Sequence, residues 1–235
     1  MPGCGAGGLG VSTMQTHALL HQSLFSFQCP PEPLAAIQRF ASDLAWETVP
    51  RRGENKKAGR SYIHPAASLQ AVEALNELHV WMTTCLNRVR EQVGWRSDTV
   101  RELAISQSWL NRSDTGEEHH RHHHPLSILS GIMYLSEPSS TRFYTPSIYA
   151  LPRVIAPDKT SGQMEIEVEF EGRLGQFVVF PSTLKHAVGT NLEPHARLTM
   201  SINSWFSGPI GRDQELAYIP DPRTGSSASD SASSA

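Results

Sequence analysis

The sequence lacks the closely spaced cysteine pairs that hold structural zinc or carry redox chemistry. Its three cysteines, Cys4, Cys29 and Cys85, are an odd number and lie far apart in the chain. Reduced thiols of this kind are typical of a reducing compartment, so we expect a cytoplasmic location. The first residues are rich in glycine and contain no charged region followed by an apolar stretch, so we expect no signal peptide.

The chain also lacks an excess of charge of one sign and any long apolar run. Its 20 basic and 23 acidic side chains give a formal net charge of −3 and form no basic stripe. Nucleic-acid binding is therefore not expected, and no stretch is long enough to span a membrane. The remaining partner is a small-molecule or peptide substrate, and nothing in the sequence excludes a homodimer.

What is present is enough apolar material for one compact unit of 235 residues, at 39% hydrophobic. Both ends are poor in large apolar residues, and this sets the expected boundaries. We predict a flexible N-terminus at 1–22, a helical support region at 23–100, a catalytic core at 101–210 and a disordered C-terminal tail at 211–235.

Helical periodicity is confined to the first part of the chain. A helix is predicted after Pro31, and a longer one after Pro65, where apolar residues recur every three or four positions from Leu69 to Val93. Gly94 is expected to end the second helix.

From about Arg101 the apolar period changes to two, which predicts strands. The predicted strands are 105–111, 128–135, 165–170, 174–180, 185–188 and 197–206. Gly131, inside the second of these, indicates a close backbone approach or a bend. Helices followed by a run of strands indicate an α+β chain: a β-barrel or jelly roll braced by N-terminal helices.

The densest chemical signal is the run from Glu117 to Pro125, which contains five histidines in six positions. Imidazole is the commonest transition-metal ligand in proteins. His122 and His124 are two apart, so on an extended chain they point to the same side, although His120 and His122 have the same spacing. A solvated, histidine-rich loop is the alternative. His119, His120 and His123 have no assigned role.

Two features further along the chain suggest a third ligand and an anion site. His186 follows the turn signal at Phe180-Pro181-Ser182 and opens a short strand. The turn-like segment 189–196 would let the strands bearing His186 and Arg197 form a hairpin, with these two side chains nearly opposite each other. Arg197, Thr199, Ser201 and Asn203 form one polar face. That face is either a solvated outer surface or an interior site where a guanidinium binds a carboxylate.

These residues carry a resemblance to a known family. The segments Ser108-Trp109-Leu110-Asn111, His122-His123-His124-Pro125, and Ser130-Gly131 with Tyr134 resemble the motifs Trp-x-Asn, His-x-His-Pro and Ser-Gly-x-x-Tyr of iron(II)/2-oxoglutarate-dependent oxygenases. The segments 180–188 and 197–203 resemble the second half of the same family. The match covers roughly residues 105–206.

The resemblance implies a double-stranded β-helix and an enzyme that uses Fe(II), 2-oxoglutarate and O₂. It implies hydroxylation of an unidentified substrate with release of succinate and CO₂. The implied iron ligands are His122, His124 and His186, with no further catalytic residue. The implied co-substrate residues are Arg197, with Thr199 on the same face, and Asn111 and Tyr134 of the matched motifs.

One departure from the wider superfamily is the replacement of the usual acidic ligand by His124. Asp114, Glu117 or Glu118 could still supply a carboxylate. Two alternatives also stay open: a cupin-like three-histidine metalloenzyme that needs no co-substrate or acts as an isomerase, and a non-catalytic metal-binding β-barrel. Trp109, Tyr134, Phe143 and Tyr144 either line the substrate pocket or belong to the core.

Overall fold

The computed structural model describes residues 14–19, 22–51, 57–146 and 165–212, together with 214, 216 and 218–220. These residues include two α-helices, α1 (Pro31–Ser42) and α2 (Asn76–Gln92). The strands are β1 (Gln15–Leu19), β2 (Gln22–Gln28), β3 (Arg60–Tyr62), β4 (Val100–Ser113), β5 (His119–His122), β6 (Leu129–Tyr134), β7 (Ser139–Pro146), β8 (Glu165–Gly172), β9 (Gln176–Pro181), β10 (Lys185–Val188) and β11 (Arg197–Ile210).

The strands form two antiparallel sheets. The large sheet has seven strands in the order β1-β2-β9-β6-β11-β4-β3, and the small sheet has four in the order β5-β10-β7-β8. Strands that are distant in sequence are neighbours in both sheets, as a jelly roll requires. The predicted fold class, a double-stranded β-helix braced by N-terminal helices, is confirmed.

Two apolar clusters hold these layers together. The larger one lies between the helices and the outer side of the large sheet, where Met82 and Leu86 of α2 are buried with Met200 and Ile202 of β11. The smaller one lies between the sheets and contains Leu24, Ile132, Tyr134, Phe143, Val178, Phe180 and Leu184. Side chains of alternate residues in the large sheet therefore pack into two different apolar clusters, one on each face.

The N-terminal helices differ from the sequence expectation in one respect. The helix predicted after Pro65 begins at Asn76, because Leu69–Ala71 and Glu73–Leu75 form two short 3₁₀ turns instead. Each turn buries one leucine of the apolar series. The apolar spacing that predicted an α-helix is therefore produced here by two 3₁₀ turns. The predicted end is correct: Gly94 has φ +78° and its N–H donates to the Glu91 carbonyl.

The predicted hairpin between the strands of His186 and Arg197 is wrong. β10 pairs with β5 and β7 in the small sheet, and β11 pairs with β4 and β6 in the large sheet. Segment 189–196 therefore crosses from one sheet to the other, which is the usual connection in a jelly roll.

The predicted division into regions stays a prediction, but the structure shows which strands precede the proposed core. β2 pairs with β9 and β3 pairs with β4, so segments from 1–100 extend the large sheet on both sides. β1, which lies in the stretch predicted to be flexible, pairs with β2. The predicted tail lies mostly outside the described residues. No helix of the described residues is long and apolar enough to cross a membrane.

Candidate active site between the sheets

Three histidines converge at one end of the space between the sheets. The candidate ligand atoms of His122, His124 and His186 all lie within 4.8 Å of one another. His122 and His186 are directly opposite each other across β5 and β10, with ring centroids 4.4 Å apart. The Nε2 atoms of His124 and His186 are 3.2 Å apart. Nitrogens at such separations can bind one first-row ion at about 2.0–2.2 Å.

Backbone contacts fix the orientation of these rings. Nδ1 of His122 is 2.8 Å from the His120 carbonyl, and Nδ1 of His186 is 3.0 Å from the Leu184 carbonyl. With Nδ1 protonated and donating to the carbonyl, Nε2 of each ring is left as the acceptor that a metal needs. The backbone N–H of His124 donates to the Ser182 carbonyl, which ties the loop after β5 to the end of β9.

His186 is 2% exposed, and its burial has an electrostatic consequence. Desolvation, followed by the nearby charge of His122, lowers the pKa of His186 to about 3. Aromatic rings surround it, with the centroid of Phe180 at 4.9 Å and that of Phe143 at 6.2 Å. A ring held neutral in this way is ready to bind a cation without first losing a proton.

The acidic residues near the cluster bind other groups. Glu117 is buried and forms an ion pair with Arg51, and its Oε2 accepts from the backbone N–H of Asp114 at 2.9 Å. Asp114 pairs with Arg112, and Glu118 accepts from Thr190. Among the described residues, the candidate metal group contains no carboxylate.

The polar face of β11 lies on the inner side of the large sheet. Thr199 is paired with Tyr134 and Asn111, and Ser201 with Ile132 and Trp109, so these side chains share one face. Ile132 and Tyr134 belong to the cluster between the sheets, which fixes that face as the inner one. The interpretation of this strand as a solvated outer surface is therefore excluded.

Arg197 begins this inner face and carries a buried positive charge. Its side chain donates to the Gly189 carbonyl at 2.6 Å, and the residue is 8% exposed. No carboxylate of the described residues lies within ion-pairing distance of it. Desolvation lowers the pKa of Arg197, with the neighbouring Tyr134 acting in the opposite direction. A guanidinium in such surroundings is a strong site for an anion.

Tyr134 is fully buried beside Arg197, and its hydroxyl donates to Thr141 Oγ1 at 2.9 Å. Burial raises the pKa of the Tyr134 phenol, so it stays protonated. Thr141 lies on β7, a strand that sequence periodicity did not identify. Its contact with Tyr134 depends on strand pairing, and only the apolar Phe143 nearby indicates a buried strand there.

Asn111 is held by contacts within the chain. Its Oδ1 accepts from Ser61 at 2.7 Å and from Trp109 Nε1 at 3.1 Å, while its Nδ2 donates to Ser201 at 2.9 Å. Trp109 in turn packs on His124, with centroids 5.6 Å apart. The amide therefore positions a tryptophan that supports one of the three histidines.

The other sequence candidates are placed outside the cluster. His120 lies beside His122 with centroids 5.7 Å apart, and both His120 and His123 are exposed. Of the four candidate pocket aromatics, Trp109, Tyr134 and Phe143 are buried. Tyr144 is only partly buried and lies under the Arg121 guanidinium at 4.2 Å.

Comparison with known families gives a match over the strands that carry this site. Residues 107–203 match the model of the family described as "Putative 2OG-Fe(II) oxygenase". These residues include all three histidines and Arg197. No curated protein sequence matches the chain.

Three solved structures share the fold. SnoN, an epimerase from nogalamycin biosynthesis solved with Fe3+, alpha ketoglutarate and nogalamycin RO, aligns with TM-score 0.55 and 14% identity over 77% of this chain and 79% of its own. A prolyl-4-hydroxylase of Pseudomonas putida aligns with TM-score 0.51 and 16% identity over 82% and 94%. A prolyl hydroxylase of Trichoplax adhaerens, in complex with a hypoxia inducible factor peptide fragment, aligns with TM-score 0.51 and 9% identity over 78% and 83%.

Proposed function

We propose that this chain is an oxygenase that hydroxylates a C–H bond of a small molecule or a peptide, because residues 107–203 match the model of the family described as "Putative 2OG-Fe(II) oxygenase". The enzyme depends on iron(II), 2-oxoglutarate and O₂. In the proposal, His122, His124 and His186 bind the iron. When bound, the iron with 2-oxoglutarate and O₂ supplies the oxidising power, and succinate and CO₂ are released.

The donor set fits a first-row transition metal. Three imidazoles share one side of the site, and two of them have Nδ1 at a backbone carbonyl so that Nε2 is left for the metal. Imidazole suits iron as well as zinc, copper and nickel. Because no carboxylate of the described residues joins the group, the site has one negative charge fewer than the common two-histidine, one-carboxylate arrangement.

The uncompensated buried charge of Arg197 is the observation that carries the proposal for 2-oxoglutarate. A guanidinium that is 8% exposed and that bonds only to a carbonyl among the described residues needs an anion. The distal carboxylate of 2-oxoglutarate matches its planar fork. Thr199 would donate its hydroxyl to that carboxylate, and Tyr134, which is paired with Thr199 on the same face, would turn its hydroxyl from Thr141 to the carboxylate when the co-substrate binds.

Asn111 has an indirect part in this proposal. Because both of its amide atoms are bonded within the chain, it would hold Trp109 and Ser201 in place, and direct binding of the co-substrate by Asn111 stays a prediction. Trp109 then restricts the ring of His124 from one side.

The three-histidine donor set also fits a second candidate function, that of a cupin-like enzyme without a co-substrate. In that enzyme Arg197 would bind a substrate carboxylate, and 2-oxoglutarate would have no affinity for the metal-loaded protein. The two candidates therefore differ in one measurable property.

Anaerobic addition of Fe(II) and then 2-oxoglutarate tests the proposal. Chelation of the metal by the keto acid should produce a weak visible charge-transfer band. We expect His186→Ala to abolish the band and His123→Ala, an exposed neighbour, to retain it. A wild-type protein that binds Fe(II) but gives no band with 2-oxoglutarate would favour the cupin-like alternative.

The proposed location is the cytoplasm. Its support is the state of the cysteines, since Cys29 and Cys85 are buried free thiols and burial raises the pKa of Cys29 to about 12. Such thiols persist where the surroundings are reducing. The structure describes one copy of the chain, and the homodimer stays a prediction.

A further inference from the structure

Two amide side chains on the inner face have no part in the chemistry proposed above. Gln107 of β4 and Asn203 of β11 are directly paired across the large sheet and are partly exposed. Paired residues of antiparallel strands point to the same side. Asn203 shares that side with Ser130 of β6, its partner in the next strand.

Two independent chains of contacts place this pair next to the metal ligands. Along β4, Gln107 is two residues from Trp109 on the same face, and the Trp109 ring packs on His124. Across the sheet, Ser130 donates to Asn203 Oδ1 at 3.0 Å and lies 2.8 Å from Ser182 Oγ. The Ser182 carbonyl accepts from the backbone N–H of His124. Along β11, Asn203 and Arg197 lie on opposite sides of Ser201, the residue paired with Trp109.

The hydrogen-bonding capacity of the pair is largely unused. Within the described part of the chain, the side chain of Gln107 has no hydrogen-bond partner, and Asn203 uses only Oδ1. Asn111, two positions beyond Trp109 on the same face, has both amide atoms occupied. Partly exposed amides of this kind bind water until a ligand displaces it, and the ligand must then supply the hydrogen bonds that the water made.

We propose that Gln107 and Asn203 bind the substrate, and that the substrate carries a secondary amide next to the hydroxylated carbon. Such an amide has one acceptor and one donor. Its carbonyl would accept from Asn203 Nδ2, and its N–H would donate to Gln107 Oε1. The row Gln107, Asn203 and Ser130 has no charge, which suits a neutral group such as a peptide bond. The inference rests on the proposed function and names the substrate class of the same site.

Ligand-observed NMR on the protein loaded with Zn(II) and 2-oxoglutarate tests this without turnover. The probes are the N-acetyl N-methylamides of the common amino acids and the corresponding N-acetyl methyl esters, which replace the terminal N–H by oxygen. We expect at least one amide to bind about three- to tenfold more tightly than its ester, the value of one hydrogen bond. Gln107→Leu and the longer Gln107→Met should remove this preference, and Asn203→Leu should weaken both probes.

The control is Gln38→Leu, the same change at a partly exposed position of α1, on the other side of the large sheet. It should leave the amide preference as in wild type. The inference is overturned if no amide binds, if amide and ester bind equally, if the preference survives both Gln107 changes, or if polyols bind in place of the amides. A protein that fails to bind 2-oxoglutarate would contradict the proposed function itself, and the inference with it.

Discussion

Arg197 brings a full positive charge into the interior, where its hydrogen-bond partner among the described residues is one neutral carbonyl oxygen. Arg197→Lys keeps the charge and loses the planar fork, so we expect weaker binding of 2-oxoglutarate. Arg197→Ala should cost more, on the order of 2–5 kcal/mol if the carboxylate is left buried and unpaired. The measurement is the Kd of 2-oxoglutarate in the metal-loaded protein.

Metal affinity separates this role from a general loss of structure. Arg197 lies outside the candidate metal group, so both variants should bind the metal as wild type does. Arg39→Ala, at an exposed arginine of α1, is the matched control and should leave the Kd of 2-oxoglutarate unchanged. An unchanged Kd in Arg197→Ala would remove the main reason for choosing this co-substrate.

His186 predicts a pH dependence for the metal-free protein. Its pKa is lowered to about 3 in the folded state, chiefly by burial, so between about pH 6.5 and 3 the unfolded chain binds a proton that the folded chain does not. Stability is therefore greatest above the unfolded pKa and falls as the pH is lowered. From about pH 6.5 to 5 this residue alone should remove about 2 kcal/mol.

Denaturant unfolding of wild type and His186→Gln over this range checks the sign. Other groups titrate in both proteins, so the useful quantity is the difference between their slopes. Wild type should lose stability more steeply than the variant below about pH 6.5. Parallel slopes would show that His186 accepts a proton in the folded state.

At the scale of elements, the strands were largely predictable because alternation is a local signal. β10 is found where the sequence predicted it, and β4, β6, β8, β9 and β11 overlap their predicted ranges. Five strands lie outside the predicted ranges, since no regular alternation marks them: β1, β2, β3, β5 and β7. The relation of β10 to β11 was predicted wrongly, because turn composition in 189–196 cannot distinguish a hairpin from a crossing between sheets.

In the candidate site, too, the features set by adjacent residues were predictable, and the contacts between distant segments were not. The spacing of His122 and His124 and the polar face of β11 are properties of a few adjacent residues, and the sequence identified them. The contact of Tyr134 with Thr141 and the ion pair of Glu117 with Arg51 join distant segments. Such contacts follow from strand register, which a single sequence does not specify.

Gly131 of β6 shows how tightly the large sheet is packed. A Cβ atom at this position would lie 2.4 Å from Phe177 Cε2 and 3.0 Å from Ile202 Cγ1. The sequence indicated a close approach here, and the structure identifies the neighbours. Gly131→Ala should destabilise the protein by about 1–3 kcal/mol through overpacking.

Chemical denaturation measures this loss, with Gly189→Ala as the control. A Cβ at Gly189 would meet Arg142 at 3.4 Å or more, which is ordinary contact. A Gly131→Ala protein as stable as the control would mean that the Phe177 ring can move aside at no cost.

At the scale of the whole molecule, the proposed ligands of the two sheets meet in the space between them. The small sheet supplies His122 and His186, and the large sheet supplies Arg197 and Thr199. A molecule that binds both the metal and Arg197 would connect the sheets, whereas the metal alone would connect only β5, its following loop and β10. Binding of the two ligands should therefore be coupled.

This coupling gives a prediction for thermal stability. A ligand at about 100 times its Kd stabilises the folded state by about 2.7 kcal/mol. We expect Zn(II) alone to raise Tm, 2-oxoglutarate alone to have a small effect, and the two together to raise Tm by more than the sum of the separate shifts.

Glutarate, which has both carboxylates but no keto group to chelate the metal, should bind Arg197 without this excess. In Arg197→Ala the excess should disappear while the shift with Zn(II) alone persists. Additive shifts in wild type, or an equal excess with glutarate, would show that one molecule does not join the metal to Arg197.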